Sequence, residues 1–117
     1  MVYDQELAGR VRAVLAERPG VDEKRMFGGV CFMVAGRMCC GVLKDDFFVR
    51  VGAERLEAAL AEPYARPMDF TGRPSMGMVY VAAAGLAEEQ TLDAWVQRGV
   101  DFVNAHPRTA KRAATAG

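Results

Sequence analysis

The sequence predicts an α+β domain in which a five-stranded antiparallel sheet carries three helices, in the order α-β-β-β-α-β-β-α. Three observations support this fold class. Apolar residues recur at helical spacing in the first and last parts of the chain, and short runs rich in valine, phenylalanine and methionine lie between turn motifs. The length of 117 residues and the 51% hydrophobic content suit one core. We therefore expect a single domain over residues 1–106, followed by a disordered basic tail over residues 107–117.

The first helix is predicted over residues 4–17. Leu7, Val11, Val14 and Leu15 form one apolar stripe at helical spacing. The Pro19-Gly20 pair then ends the helix, because proline cannot continue it and glycine favours the turn that follows.

The first strand is predicted over residues 25–34, with Gly28 and Gly29 near its start. Paired glycines in a strand usually mark a bulge, a bend or the close approach of another backbone. A phosphate-binding loop is the competing interpretation. The chain contains neither Gly-x-x-x-x-Gly-Lys nor Gly-x-Gly-x-x-Gly, and strand residues follow the glycines instead of a helix. We therefore expect a structural role for this pair.

Two further strands are predicted over residues 37–43 and 47–51. Ala35-Gly36 connects the first of them to the preceding strand, and residues 44–46 form the next turn. Such short connections favour an antiparallel meander, because a parallel pair needs a much longer crossover.

The second half of the chain predicts a short helix over residues 53–62, a short strand over 68–70 and a stronger strand over 77–84. Residues 71–75 form the loop between those strands. The last helix presents Leu92, Trp95, Val96, Gly99, Val100 and Val103 on one face and ends at His106-Pro107. Thr91 or the acidic residues before it are expected to satisfy its first N–H groups.

Four segments of this chain resemble the TfoX N-terminal domain family. They are Met26-Phe27-Gly28-Gly29, the strand-turn-strand of residues 32–38, the strand of residues 47–51, and residues 76–80. The resemblance covers almost the whole chain. It implies an antiparallel α+β fold similar to secretion chaperones, homodimer formation, and a connection with the regulation of competence for DNA uptake. On this basis we expect a non-catalytic regulatory or protein-interaction module.

The residues themselves predict no enzyme, no cofactor and no metal site. Ser75 is the only serine and His106 the only histidine, and no pattern brings them together. There is no Cys-x-x-Cys motif. Cys39 and Cys40 are neighbours in a strand and should point to opposite faces, so packing is expected for them in place of redox chemistry.

The alternative function is the binding of a small anionic ligand. Arg25, Gly28, Gly29, Gly72 and Arg73 occupy two arginine and glycine clusters in predicted loops, and guanidinium groups bind carboxylates and phosphates well. A meander that brings these clusters together would form an anion-binding cleft.

Phe27 and Met76 complete the set of candidate binding residues. Methionine fills irregular cores and also forms adaptable binding surfaces. We expect core packing for Met33 and Met38, and surface contacts for Met76 and Met78.

Charge and hydropathy limit the partners and the location. The formal net charge is zero, but Arg108, Lys111 and Arg112 are concentrated in the tail, which leaves the rest of the chain slightly acidic. DNA contact is therefore expected to be weak at most and confined to the tail. No secretion signal and no apolar run long enough for a membrane is present, which predicts a cytoplasmic protein. The excess of arginine over lysine suggests a GC-rich bacterial genome.

Overall fold

The computed structural model describes residues 3–16, 18–26, 28–67 and 77–105. In these residues three α-helices accompany six strands. The helices are α1 (Gln5–Leu15), α2 (Leu56–Leu60) and α3 (Glu89–Ala105); the strands are β1 (Val21–Met26), β2 (Gly29–Val34), β3 (Arg37–Leu43), β4 (Asp46–Arg50), β5 (Ala65–Pro67) and β6 (Met78–Ala82). Short 3₁₀ turns at Ala53–Arg55 and Ala83–Leu86 precede α2 and α3.

All six strands form one antiparallel sheet in the order β1-β2-β3-β4-β6-β5. The α+β class and the meander are confirmed, but the prediction of five strands is wrong. The predicted strand over 25–34 consists of the end of β1 and all of β2, folded back on each other so that Met26 pairs with Gly29. Gly28 lies in the turn with a φ of +79°, where a glycine is favoured, so its role is a hairpin turn and not a bulge.

β1 is missing from the predicted strands because it lies at the edge of the sheet and is charged. Its sequence is VDEKRM, and the four residues from Asp22 to Arg25 are exposed. Without a buried face, a strand loses the alternation of apolar and polar residues by which it is recognised. At the opposite edge, β5 pairs with β6. The strand predicted over 68–70 lies outside the described residues.

The helices begin and end close to their predicted positions. The side chain of Asp4 caps α1 by accepting a hydrogen bond of 3.0 Å from the backbone N–H of Leu7. α2 is shorter than the predicted helix, since a 3₁₀ turn forms its first part. The N–H groups of Thr91 and Leu92 donate to the backbone carbonyl oxygen of Glu88. An acidic residue therefore satisfies these first N–H groups of α3, but with its backbone oxygen and not with its carboxylate.

The main core lies between one face of the sheet and the helices. The buried side chains of α1, α2 and α3 all belong to it, together with alternate residues of the strands: Val30, Phe32, Val34, Val42, Phe47, Val49, Val79 and Val81. We call this side of the sheet the helix face and the opposite side the second face.

A β-bulge in β3 brings two cysteines into the main core. Phe32 pairs with Cys40 and Met33 with Met38, which leaves Cys39 as an extra residue. Cys39 and Cys40 are both fully buried in the main core cluster, so the prediction that they point to opposite faces is wrong. The bulge interrupts the alternation on which that prediction depended.

The bulge also determines how closely α3 approaches the sheet. A Cβ atom at Gly99 would lie 2.8 Å from the carbonyl oxygen and 2.8 Å from the Sγ of Cys39. These separations are too short for a side chain, so glycine allows α3 to pack directly against the bulged backbone. No helix in the described part of the chain is long and apolar enough to cross a membrane.

Candidate functional site

The second face of the sheet carries its own apolar cluster, separate from the main core. Cys31, Leu43, Phe48 and Met78 form this cluster, and each alternates along its strand with residues of the main core. Met33, Met38 and Tyr80 pack against it and are half-buried. None of the described helices contributes a buried residue to this side. We call these seven residues the second-face cluster.

A glycine explains how the centre of this cluster is buried without a helix. Gly41 pairs directly with Phe48 on one side and with Cys31 on the other. A Cβ atom at Gly41 would collide with the ring of Phe48 and the carbonyl oxygen of Val30. The ring therefore lies over β3, which leaves Phe48 3% and Cys31 1% exposed. Burial raises the pKa of the Cys31 thiol.

The side of the cluster nearest β5 is polar. The guanidinium carbon of Arg66 lies 4.7 Å from the centre of the Tyr80 ring, its cross-strand partner. Arg66 also forms an ion pair of 2.6 Å with Asp46 of β4. The partly apolar, partly charged composition resembles that of protein interaction surfaces, where arginine and aromatic residues are enriched.

The methionines are distributed differently from the prediction. Met33 and Met38 lie in the second-face cluster and not in the main core, and both are half-buried. Met78 is 9% exposed and so is buried, although a surface contact was predicted for it. Alternation along the strands could not show this, because both faces of these strands are apolar.

Arg25 lies on the helix face of β1. It borders a cavity of about 200 Å³ together with Tyr3, Gln5, Ala8, Arg12 and Glu23. Within this cavity, Arg12 donates two hydrogen bonds to the Glu23 carboxylate, from Nε over 2.8 Å and from Nη2 over 2.7 Å. The hydrogen bonds from Arg12 hold the pKa of Glu23 below its usual value, and Arg25 adds to this effect by its charge.

The two glycines of the candidate site lie apart from the Arg25 side chain. Gly28 is exposed in the hairpin turn, and a Cβ atom there would meet no described atom within 4 Å. Gly29 is buried, and its Cβ position on the second face is filled by the backbone of Val42 and the side chain of Leu43. Arg25 and Gly29 therefore face opposite sides of the sheet, and the structure does not bring them into one cleft.

The other candidate residues, Phe27, Gly72, Arg73 and Met76, lie outside the described residues, as do Arg108, Lys111 and Arg112 of the tail.

A different pair of arginines converges where α3 ends. The guanidinium carbons of Arg50 and Arg37 lie 5.0 and 6.0 Å from the centre of the Phe102 ring. Burial, and then the charge of Arg37, lower the pKa of Arg50. The ring also covers Gly52, where a Cβ atom would lie 2.7 Å from it, and borders a cavity of about 390 Å³. No sequence pattern indicates this pair, because residues 37, 50 and 102 meet only through the sheet register and the packing of α3.

The thiols lie in environments that do not favour reaction. A hydrogen bond to the Cys39 thiol, and then burial, raise the pKa of Cys40 well above its usual value. All three cysteines are free and buried. Within the described residues, no group of three histidine, cysteine or acidic side chains is arranged to hold a metal ion.

One of the comparisons with known proteins found a match. No curated protein and no solved structure matches the chain. The family model of the TfoX N-terminal domain, however, matches residues 13–103, which extend from α1 to the last turn of α3 and include all six strands. The chain therefore belongs to the TfoX N-terminal domain family.

Proposed function

We propose that this chain is a non-catalytic regulatory module, similar to those of competence regulators, that binds an apolar segment of a partner protein on the second face of its sheet. The observation that carries this proposal is the second-face cluster. Three of its members, Met33, Met38 and Tyr80, keep part of their surface in solvent beside the Arg66 and Asp46 ion pair.

The composition of this surface supports a protein partner. Unbranched methionine side chains adapt to different apolar partners, and a tyrosine stacked with an arginine combines apolar area with polar groups. None of these three residues belongs to the main core on the helix face. A structural role alone therefore does not require three large, half-buried apolar side chains here.

The proposal is tested with Met38→Glu, which introduces a charge on the second face at a half-buried position. The control is Tyr64→Glu, because Tyr64 is the large apolar residue most exposed in the described part of the chain, at 57%. Both variants are first checked for unchanged circular dichroism and thermal unfolding. A partner that is recovered with the wild type and with Tyr64→Glu, but lost with Met38→Glu, supports the proposal. A partner retained equally by all three proteins contradicts it.

A second candidate function is the binding of a small anion by Arg37 and Arg50. Two guanidinium groups lie beside one aromatic ring, and burial, followed by the charge of Arg37, lowers the pKa of Arg50. An anion between them would relieve the repulsion between the two charges. The sequence predicts an anionic ligand at Arg25 and Arg73, and we propose it here at Arg37 and Arg50 instead.

A thermal-shift titration with inorganic phosphate and citrate tests this second function. We expect stabilisation of the wild type that disappears in Arg50→Gln and persists in Arg25→Gln, since Arg25 is exposed on β1 and borders a different cavity. Equal shifts in both variants would reflect nonspecific ion effects and would exclude the site.

A further inference from the structure

β1 forms an edge of the sheet whose backbone can accept another strand. The N–H of Ala35 donates to the carbonyl oxygen of Gly20 over 2.9 Å, which makes these two residues a hydrogen-bonded pair. Such pairs alternate along an antiparallel ladder. Asp22 and Lys24 therefore bond to β2, whereas Val21, Glu23 and Arg25 direct their N–H and C=O groups away from it. No described strand lies on that side.

The side chains of β1 are arranged so that the strand is complementary to itself. Val21 packs against the main core, so Glu23 and Arg25 lie on the helix face while Asp22 and Lys24 lie on the second face. Each face thus carries an acidic residue followed by a basic residue two positions later. When such a strand meets a reversed copy of itself, the acidic and basic residues of one face can lie opposite each other.

We infer that two copies of this chain pair through antiparallel β1 strands, which joins their sheets into one twelve-stranded sheet. The contact lies at the edge of the sheet and is independent of the partner surface proposed above. It specifies an interface for the homodimer that the family resemblance implies.

The geometry of a two-fold axis determines the register. The axis must be perpendicular to the sheet, so residues on the same face oppose each other. Centring the axis on Glu23 uses all three outward-facing residues and forms six backbone hydrogen bonds. It also places Asp22 opposite Lys24 of the second copy, twice. The two Glu23 carboxylates meet at the axis, where each is already paired with its own Arg12 at 2.7 Å.

The opposite edge of the sheet is unsuitable for such pairing. β5 has three residues, and Pro67 has no N–H to donate. Arg66 is already engaged by Asp46 and Tyr80. Edge strands that avoid association carry prolines, bulges or charges. β1 has six regularly paired residues without a proline or a bulge, and its four charges are balanced in sign.

Charge reversal at β1 tests the inference by sedimentation equilibrium at low salt. Asp22→Lys places lysines opposite lysines and Lys24→Asp places aspartates opposite aspartates. Each variant alone should dimerise about tenfold more weakly than the wild type. An equimolar mixture should recover dimers, since every opposed pair is then complementary. Asp93→Lys, a reversal at an exposed position of α3, should leave the wild-type dimer unchanged.

The backbone contribution is tested separately with Glu23→Pro and Glu23→Ala. Both remove the ion pair with Arg12, but only proline removes the outward-facing N–H, and neither disturbs the bonds to β2. We expect the alanine variant to dimerise and the proline variant to dissociate at least tenfold more readily.

Circular dichroism and thermal unfolding confirm that each variant is folded. The inference is overturned if the wild type is monomeric at about 0.1 mM. It is equally overturned if the dimer is indifferent to Glu23→Pro, or if mixing the two charge-reversed variants restores nothing.

Discussion

The ring of Phe48 lies across Gly41, its direct cross-strand partner, and Cys31, which pairs with Gly41 from the other side, is buried in the same apolar cluster. A glycine in a strand lowers stability, because it increases the backbone entropy of the unfolded chain and provides no packing surface. Here the aromatic ring supplies the missing packing. The second face therefore has an ordered apolar centre although the helices all lie on the other face.

Shortening the Phe48 side chain should expose Cys31. For Phe48→Leu we expect a loss of about 1 kcal/mol in unfolding free energy and a several-fold faster reaction of Cys31 with iodoacetamide. Peptide mapping by mass spectrometry identifies the labelled cysteine. Phe47→Leu is the matched control, because Phe47 lies on the helix face and its loss should destabilise the fold without uncovering Cys31. Equal acceleration in both variants would mean that labelling follows global unfolding.

Adding a methyl group to Gly99 should destabilise the protein, against the usual preference of helices for alanine. Its Cβ would lie 2.8 Å from the Cys39 carbonyl oxygen, so Gly99→Ala must push α3 away from the bulge, at a cost of about 1–3 kcal/mol. In α1, a Cβ at Gly9 would meet only the Arg12 side chain, at 4.0 Å. Gly9→Ala should therefore stabilise the protein by about 0.5–1 kcal/mol. Urea unfolding of both variants measures the difference, and a stabilising Gly99→Ala would contradict the packing described.

The Arg12 and Glu23 ion pair should make a small contribution to stability that depends on pH. The pKa of Glu23 is lower in the folded state than in the unfolded state. Its contribution is therefore complete above the unfolded pKa of about 4.3 and is lost as the pH falls through the folded value. Because both side chains are substantially exposed, we expect Glu23→Gln to cost at most about 0.5 kcal/mol at neutral pH. The cost should be smaller near pH 3 than at neutral pH.

Urea unfolding at the two pH values and at low salt measures this effect. Glu57→Gln, at an exposed position of α2, serves as the control. A cost for Glu23→Gln that is the same at both pH values would show that the side chain acts by packing and not by charge.

The cysteine pair in the bulge should resist modification in the native state. Cys39 and Cys40 are fully buried, and the pKa of Cys40 is well above its usual value, so little thiolate is available to react. At pH 8 we expect alkylation of these residues only when the domain unfolds, with rates that rise with urea in parallel with global opening. Rapid alkylation without urea would indicate that α3 separates from the bulge on its own.

Much of the fold follows from local patterns in the chain. The helical stripe of α1, the β3 and β6 strands and the Ala35-Gly36 turn all lie where the sequence predicts them. In these segments burial matches the pattern, since one face is apolar and the turn residues have the conformational freedom that the turn needs. The candidate site could be predicted much less well, because strand pairing alone brings Phe48 and Cys31 together on either side of Gly41.

By itself, the sequence determined the fold class, the family and the positions of most elements, because periodicity and turn residues act over a few neighbouring positions. The tertiary structure decided what depends on register and packing. Only strand pairing places Gly28 in a hairpin turn, where it is exposed, and Gly29 at the start of β2, where it is buried. Only the bulge placed Cys39 beside Cys40 in one core. A charged edge strand such as β1 is recognisable only when its neighbour is known, because its stability comes from backbone hydrogen bonds and not from an apolar face.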